Sequence, residues 1–97
     1  MARVVIFRGK RPDIERVLER FPDPSEKRVV LKPNLITSNP PPTTTPPDII
    51  EALARYYYER GYEVVIAEGS GWCETFEAYE KLGYMGLRKY AELVDLN

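Results

Sequence analysis

Histidine and glutamine are both absent from these 97 residues, and cysteine occurs once, as Cys73. Without histidine the chain has no Ser-His-Asp or Cys-His arrangement and lacks the commonest metal ligand. One cysteine excludes an internal disulfide, and it excludes a self-contained iron–sulfur cluster, which needs about four ligands. No apolar run reaches the roughly 18 residues needed to span a membrane. The opening Met1–Phe7 is followed at once by Arg8, Lys10 and Arg11, so it does not read as a signal peptide. Charge of one sign is missing too: 14 basic residues face 15 acidic ones, for a net charge of -1. A nucleic-acid binder normally carries a basic surplus. These absences set the expectation: a soluble cytoplasmic protein, with no metal, no cofactor, no nucleic-acid partner and no membrane partner.

What is present is a chain of one domain, 1–97, at 43% apolar and 30% charged residues. At this length only about 60–65% of the unfolded surface is buried, so the core is modest. Nine prolines, the charged fraction and the scarcity of internal amides (Asn34 and Asn39) point to a thermophilic source.

Four short apolar runs alternate with helical patterns. Arg3–Phe7 carries Val4, Val5, Ile6 and Phe7 with no polar alternation, which suits a strand of a parallel sheet. Ile14, Val17, Leu18 and Phe21 then share one face of a helix over Asp13–Phe21, ended by Pro22 and Pro24. Arg28–Leu31 reads as a second strand. A second helix starts with Thr45 as N-cap, Pro46 at the first position and Asp48 in a capping-box relation. It runs to about Arg60 with Ile50, Leu53, Ala54 and Tyr57 inward, and Gly61 stops it. Glu63–Glu68 is a third strand. A short helix over Glu74–Leu82 follows, with Phe76, Tyr79 and Leu82 inward and Gly83 as its stop. Met85–Tyr90 adds a helical turn or two, and Leu93–Leu96 is a fourth strand. The order β-α-β-α-β-α-β predicts an α/β fold: a three-layer sandwich with a mostly parallel four-stranded sheet, Rossmann-like. The chain ends on a strand, so it reads either as complete or as part of a longer protein, with a second copy or a partner chain covering the open sheet edge.

The chain is organised around Val29–Pro47. An apolar run ends in Lys32, and an uncharged loop follows, with Pro40, Pro41, Pro42, Pro46 and Pro47 and the triplet Thr43, Thr44, Thr45. Loops of this length in small domains are usually functional or disordered, and the prolines argue against disorder by pre-setting the backbone. Open parallel sheets bind ligands outside the carboxyl ends of their strands, and two such ends stand out. Lys32, Pro33 and Asn34 follow one strand; Glu68, Gly69, Ser70 and Gly71 end and follow another. Lys32 offers a cation for phosphate or carboxylate, or snorkels at a strand end. Asn34 bonds a ligand or fastens its own loop. Thr44 and Thr45 read as capping groups that also face the site. The Gly69–Gly71 turn matches no nucleotide motif, since Glu74 stands where the third glycine belongs; it is an ordinary turn or an anion nest. Glu68 is a general base, a magnesium ligand or an ion-pair partner for Lys32, and the ion pair is preferred. Cys73 sits at a helix start but has no activating base. Tyr56, Tyr57 and Tyr58 cannot all be buried on one helix, so at least one of them is expected to be exposed, and Trp72 is a further candidate for a contact surface.

Taken together, Val30-Leu31-Lys32-Pro33-Asn34-Leu35, Thr44-Thr45-Pro46-Pro47-Asp48-Ile49-Ile50, the run Val64–Ser70, the segment Thr75–Tyr84 and the closing Leu93–Asn97 resemble domain-of-unknown-function family 362. The resemblance covers most of the chain and looks like the N-terminal part of a longer member. Some members carry ferredoxin-like cysteine motifs elsewhere; this chain has no such cluster, so no iron–sulfur role carries over. Lys32, Asn34, Thr44 and Thr45 are the positions that match the family signature. Three functional readings follow: a domain binding a small anionic ligand at Lys32, Asn34, Thr44, Thr45, Glu68, Gly69, Ser70 and Gly71; an interaction or assembly module; and part of an enzyme site with Glu68 as acid/base, completed by another chain.

Overall fold

The computed structural model describes residues 13–97; the strand expected at Arg3–Phe7 lies outside them. Among the described residues three strands, β1 (Arg28–Leu31), β2 (Glu63–Glu68) and β3 (Ala91–Asp95), form one open sheet in the order β1-β2-β3. Both pairings are parallel, with Val29 beside Val64 and Ile66 beside Leu93. Helices α1 (Asp13–Leu18), α2 (Pro47–Glu59) and α3 (Thr75–Lys81) and a 3-10 segment, Met85–Lys89, complete the elements. The fold is a small α/β structure with a parallel sheet, and its central strand carries the apolar, buried run Val64–Ala67 that such a sheet calls for. No helix among the described residues is long and apolar enough to cross a membrane.

The central strand carries the core. Val64, Val65, Ile66 and Ala67 are all buried. Val64 and Ile66 share a cluster with Ile50 and Ala54 of α2, Ala78 and Tyr79 of α3, and Ala91 and Leu93 of β3. Burying side chains of this kind stabilises by about 1.5–3 kcal/mol each.

Several boundaries differ from expectation. α1 stops at Leu18 rather than Phe21. Arg20 and Phe21 donate instead to the carbonyls three residues back, a tightened last turn, and Pro22 disfavours helical geometry at Phe21. α2 begins at Pro47 with Pro46 as its cap and no side-chain capping bond. Thr45 is not the N-cap, because its hydroxyl is used across the loop, and Pro47 has no N–H to be capped. In α3 the buried residues are Thr75, Ala78 and Tyr79, while Phe76 is exposed. At 3.6 residues per turn Phe76 falls one residue off that stripe and meets the Tyr79 ring only edge-on, at 5.4 Å. The last strand begins at Ala91, two residues early, and leaves Leu96 exposed. α2 buries Ala52 and Tyr56 besides Ile50 and Ala54, because it packs against α1 as well as against β1 and β2. Tyr58 is the exposed member of the tyrosine triplet.

Both longer helices end by one device. Gly61 and Gly83 have φ of +87° and +82°, a conformation in which a β-carbon is strained. After α2, Gly61 N–H donates to Tyr58 O and Tyr62 N–H to Tyr57 O. After α3, Gly83 N–H donates to Glu80 O and Tyr84 N–H to Tyr79 O. These are Schellman bonds, which usually bring a contact between the residue after the glycine and one in the last turn. Here both contacts are tyrosine pairs, Tyr57 with Tyr62 at 5.8 Å and Tyr79 with Tyr84 at 5.9 Å.

Candidate functional site

Because the strands are parallel, Leu31, Glu68 and Asp95 all end at one edge of the sheet. The segments leaving them are tied together there, and Glu68 is the knot. Its side chain is only 6% exposed, and Lys32 Nζ lies 3.0 Å from Oε1. Oε1 also accepts the N–H of Gly69 at 2.9 Å, and Oε2 accepts the N–H of Leu35 at 2.7 Å. Burial alone would raise the Glu68 pKa; the Leu35 amide, the Lys32 ammonium and the Gly69 amide outweigh it, and the carboxyl is held below its ordinary value. The preferred ion pair is therefore present, and it is one of three donations to a single buried carboxylate.

The long loop is stapled rather than slack. Asn34 N–H donates to Thr45 Oγ1 at 2.8 Å, and Thr45 N–H donates back to Asn34 O at 2.9 Å. Thr44, buried, donates its hydroxyl to Asn39 O at 2.7 Å. Tyr84 donates its hydroxyl to Thr45 O at 2.6 Å, fastening the loop to the exit of α3. The Pro41–Pro42 bond within the loop is cis.

The turn after β2 is equally engaged. Ser70 is buried; its N–H donates to Thr75 Oγ1 at 3.0 Å and its hydroxyl to Ile36 O at 2.9 Å. Cys73 Sγ stands 3.3 Å from Ser70 Oγ. The chain end closes the third side. Leu96 N–H donates to Glu68 O at 3.0 Å, and Asn97 Nδ2 donates to Ser70 O at 2.7 Å and to Thr75 Oγ1 at 3.3 Å. A β-carbon on Gly69 would fall 2.7 Å from Asn97 Oδ1, so this glycine permits the close approach.

The structure thus brings all eight expected residues to the carboxyl edge and its loop. Thr44, Thr45, Glu68, Gly69 and Ser70 spend polar groups inside the fold. Lys32 keeps 65% of its side chain exposed, and Asn34 and Gly71 are exposed. Leu35, Ile36, Thr75 and Asn97 also bond at this edge, and the sequence does not single them out. Leu35 and Ile36 act through backbone groups, which leave no mark in the side-chain code, and Thr75 and Asn97 stand in segments that resemble the family without a side-chain role attached to them. Around the same edge Ile36, Trp72 and Leu96 are exposed, Trp72 at 77%. Among the described residues no group of three or more Asp, Glu or Cys side chains could hold a metal ion.

Fold and site together define a small α/β domain whose strand ends are cross-linked through a buried carboxylate. Residues 29–97 match the domain of unknown function DUF362, and the chain belongs to that family. No curated protein and no solved structure matches it.

Proposed function

We propose that this domain binds a small anion, phosphate or carboxylate, at the carboxyl edge of its sheet, in a Rossmann-like four-stranded arrangement of three layers. The observation that carries the reading is Lys32: Glu68 fixes one side of its ammonium while most of the side chain faces solvent. An ammonium has three donors, so one contact to Glu68 leaves others for a ligand. Asn34 and Gly71, exposed in the loops that leave the same sheet edge, are the candidate neutral donors. Thr44, Thr45, Gly69 and Ser70 hold the loops in position. Glu68, held below the ordinary carboxylate range, is a weak base, which favours binding over acid/base chemistry.

The test is thermal unfolding of the full chain in inorganic phosphate and in citrate. Binding to the folded state alone raises the melting temperature. Lys32→Ala should remove the rise and leave the fold intact, since Glu68 retains its two amide donors. No rise with either anion overturns the proposal.

A second reading rests on a separate observation, the exposed Ile36, Trp72 and Leu96 around the same edge. They suit an assembly surface, because exposed aromatic and aliphatic groups drive association. Light scattering over a range of concentrations decides: a mass that rises with concentration and falls back in Trp72→Ser supports it, and a strict monomer overturns it for self-association.

A further inference from the structure

We infer that the opposite, amino edge of the sheet is a second ligand site, which takes a planar aromatic molecule bearing one anionic group. Glu63 and Ala91 begin the strands that Glu68 and Asp95 end, so this edge is remote from the Lys32–Glu68 pair. It holds an open depression of about 370 Å3, inside the range of about 300–1,000 Å3 usual for small-ligand pockets. Val64 and Ala91, paired in register, contribute its apolar base. Tyr58, Tyr62 and Tyr90 line it, and the half-exposed Tyr58 ring meets Tyr90 at 5.5 Å. The Tyr62 hydroxyl donates to Pro24 O at 2.9 Å, and its ring, half-buried against Tyr57, still lines the depression.

The charges at the rim select the ligand. Arg88 and Lys89 line the depression and are exposed, and neither has an acidic partner among the described residues. Lys89 Nζ lies 5.2 Å above the Tyr90 ring. Of the two acids that reach the rim, Glu63 is held by Arg28 at 3.2 Å, so two cations face Glu92 alone. A guanidinium matches carboxylate and phosphate oxygens in a fixed fork. The exposed Tyr58 ring, beside the half-buried Tyr62 and Tyr90, offers a stacking face to a planar ring. An anion alone would be screened at so open a rim, and a neutral ring alone would leave the cations unused. The combination defines the ligand class, and a mononucleotide or an aromatic carboxylate supplies it.

The experiment is amide chemical-shift mapping by NMR on the full chain, with adenosine monophosphate and indoleacetate as probes and adenosine as the uncharged control. Shifts at Tyr58, Val64 and Arg88–Ala91 are expected, weakened about tenfold in Arg88→Gln; Lys32→Ala leaves these shifts in place and removes any separate shifts at the carboxyl edge. Lys89→Gln serves as a second variant, and spectral dispersion reports that each variant is folded. A response to adenosine monophosphate alone assigns a nucleotide, and a response to both probes assigns aromatic anions generally. Adenosine binding as tightly as its monophosphate, shifts at Gly69–Trp72 with none at Tyr58, Val64 and Arg88–Ala91, or no shift with either probe at millimolar concentration overturns the inference.

Discussion

Replacing Glu68 by glutamine isolates the group on which the carboxyl edge depends. The substitution keeps the shape and leaves one oxygen where the carboxylate has two. Oε1 and Oε2 serve different amides, Gly69 and Leu35. A single carbonyl can satisfy one of them, and the new NH2 then faces the other N–H. A buried donor left without an acceptor costs about 1–3 kcal/mol. The Lys32 contact adds less, because its side chain is 65% exposed and exposed pairs contribute about 0–1 kcal/mol. The expected loss is therefore about 1–4 kcal/mol, or roughly 4–32 °C in melting temperature for a domain of this size. Urea unfolding followed by circular dichroism measures it. The loss should also depend on pH. The folded-state pKa of Glu68 is lowered, so its stabilisation is present above the unfolded-state value and is lost as pH falls through the folded-state value. Wild type and Glu68→Gln should thus differ most near neutrality and converge in acid. A difference below about 0.5 kcal/mol, the range of an ordinary surface change, or one that stays constant down the acid limb, would refute the assignment of Glu68 as the anchor.

Gly83→Ala should cost about 1 kcal/mol through backbone strain. A β-carbon there meets Pro47 only at an ordinary 3.9 Å, so a cost well above that, measured by urea midpoint, would point to packing instead. Tyr79 is pushed up from 10.0 to about 12 by burial, with the charges of Glu68 and Asp95 adding to it. Raised in the folded state, it stabilises below pH 10 and loses that contribution as pH rises towards about 12. Ultraviolet titration should show tyrosine ionising late and together with unfolding, and Tyr79→Phe should remove part of that alkaline slope.

Strand and helix identities were legible wherever one residue pattern had one reading. The apolar runs Val29–Leu31 and Val64–Ala67 read as strands of a parallel sheet from their β-branched residues and short length, and Gly61 and Gly83 marked the helix ends because a left-handed residue is needed there. The misreadings arose where a side chain had two legitimate partners. Thr45 fits an N-cap by local rule, yet its hydroxyl serves Asn34 across the loop. Phe76 fits a buried stripe by hydrophobicity, yet Thr75 holds the inward position, because its hydroxyl accepts from Ser70 and Asn97. In the site, Lys32 and Glu68 were readable as opposite charges at two strand ends. The amides of Leu35 and Gly69 that fix their geometry were not, since every residue but proline carries one.

The wiring of this edge has a consequence for how a ligand could act there. Strand exits that are free to move can close over an anion; these are not free. Leu35, Gly69 and Lys32 converge on one carboxylate, Leu96 bonds the backbone of the same residue, and Asn97 and Ile36 clasp Ser70. An anion bound here as proposed would therefore meet a preformed surface and gain little by reorganising it, which would save ordering entropy on binding. The same rigidity sets a limit. Glu68 already neutralises much of the Lys32 charge, so an anion must either share that ammonium or displace the carboxylate. Displacement would strand two amides at about 1–3 kcal/mol each, whereas sharing leaves them satisfied. Sharing is the cheaper route, and under the proposed function it would confine the ligand to the solvent side of Lys32 rather than inside the knot.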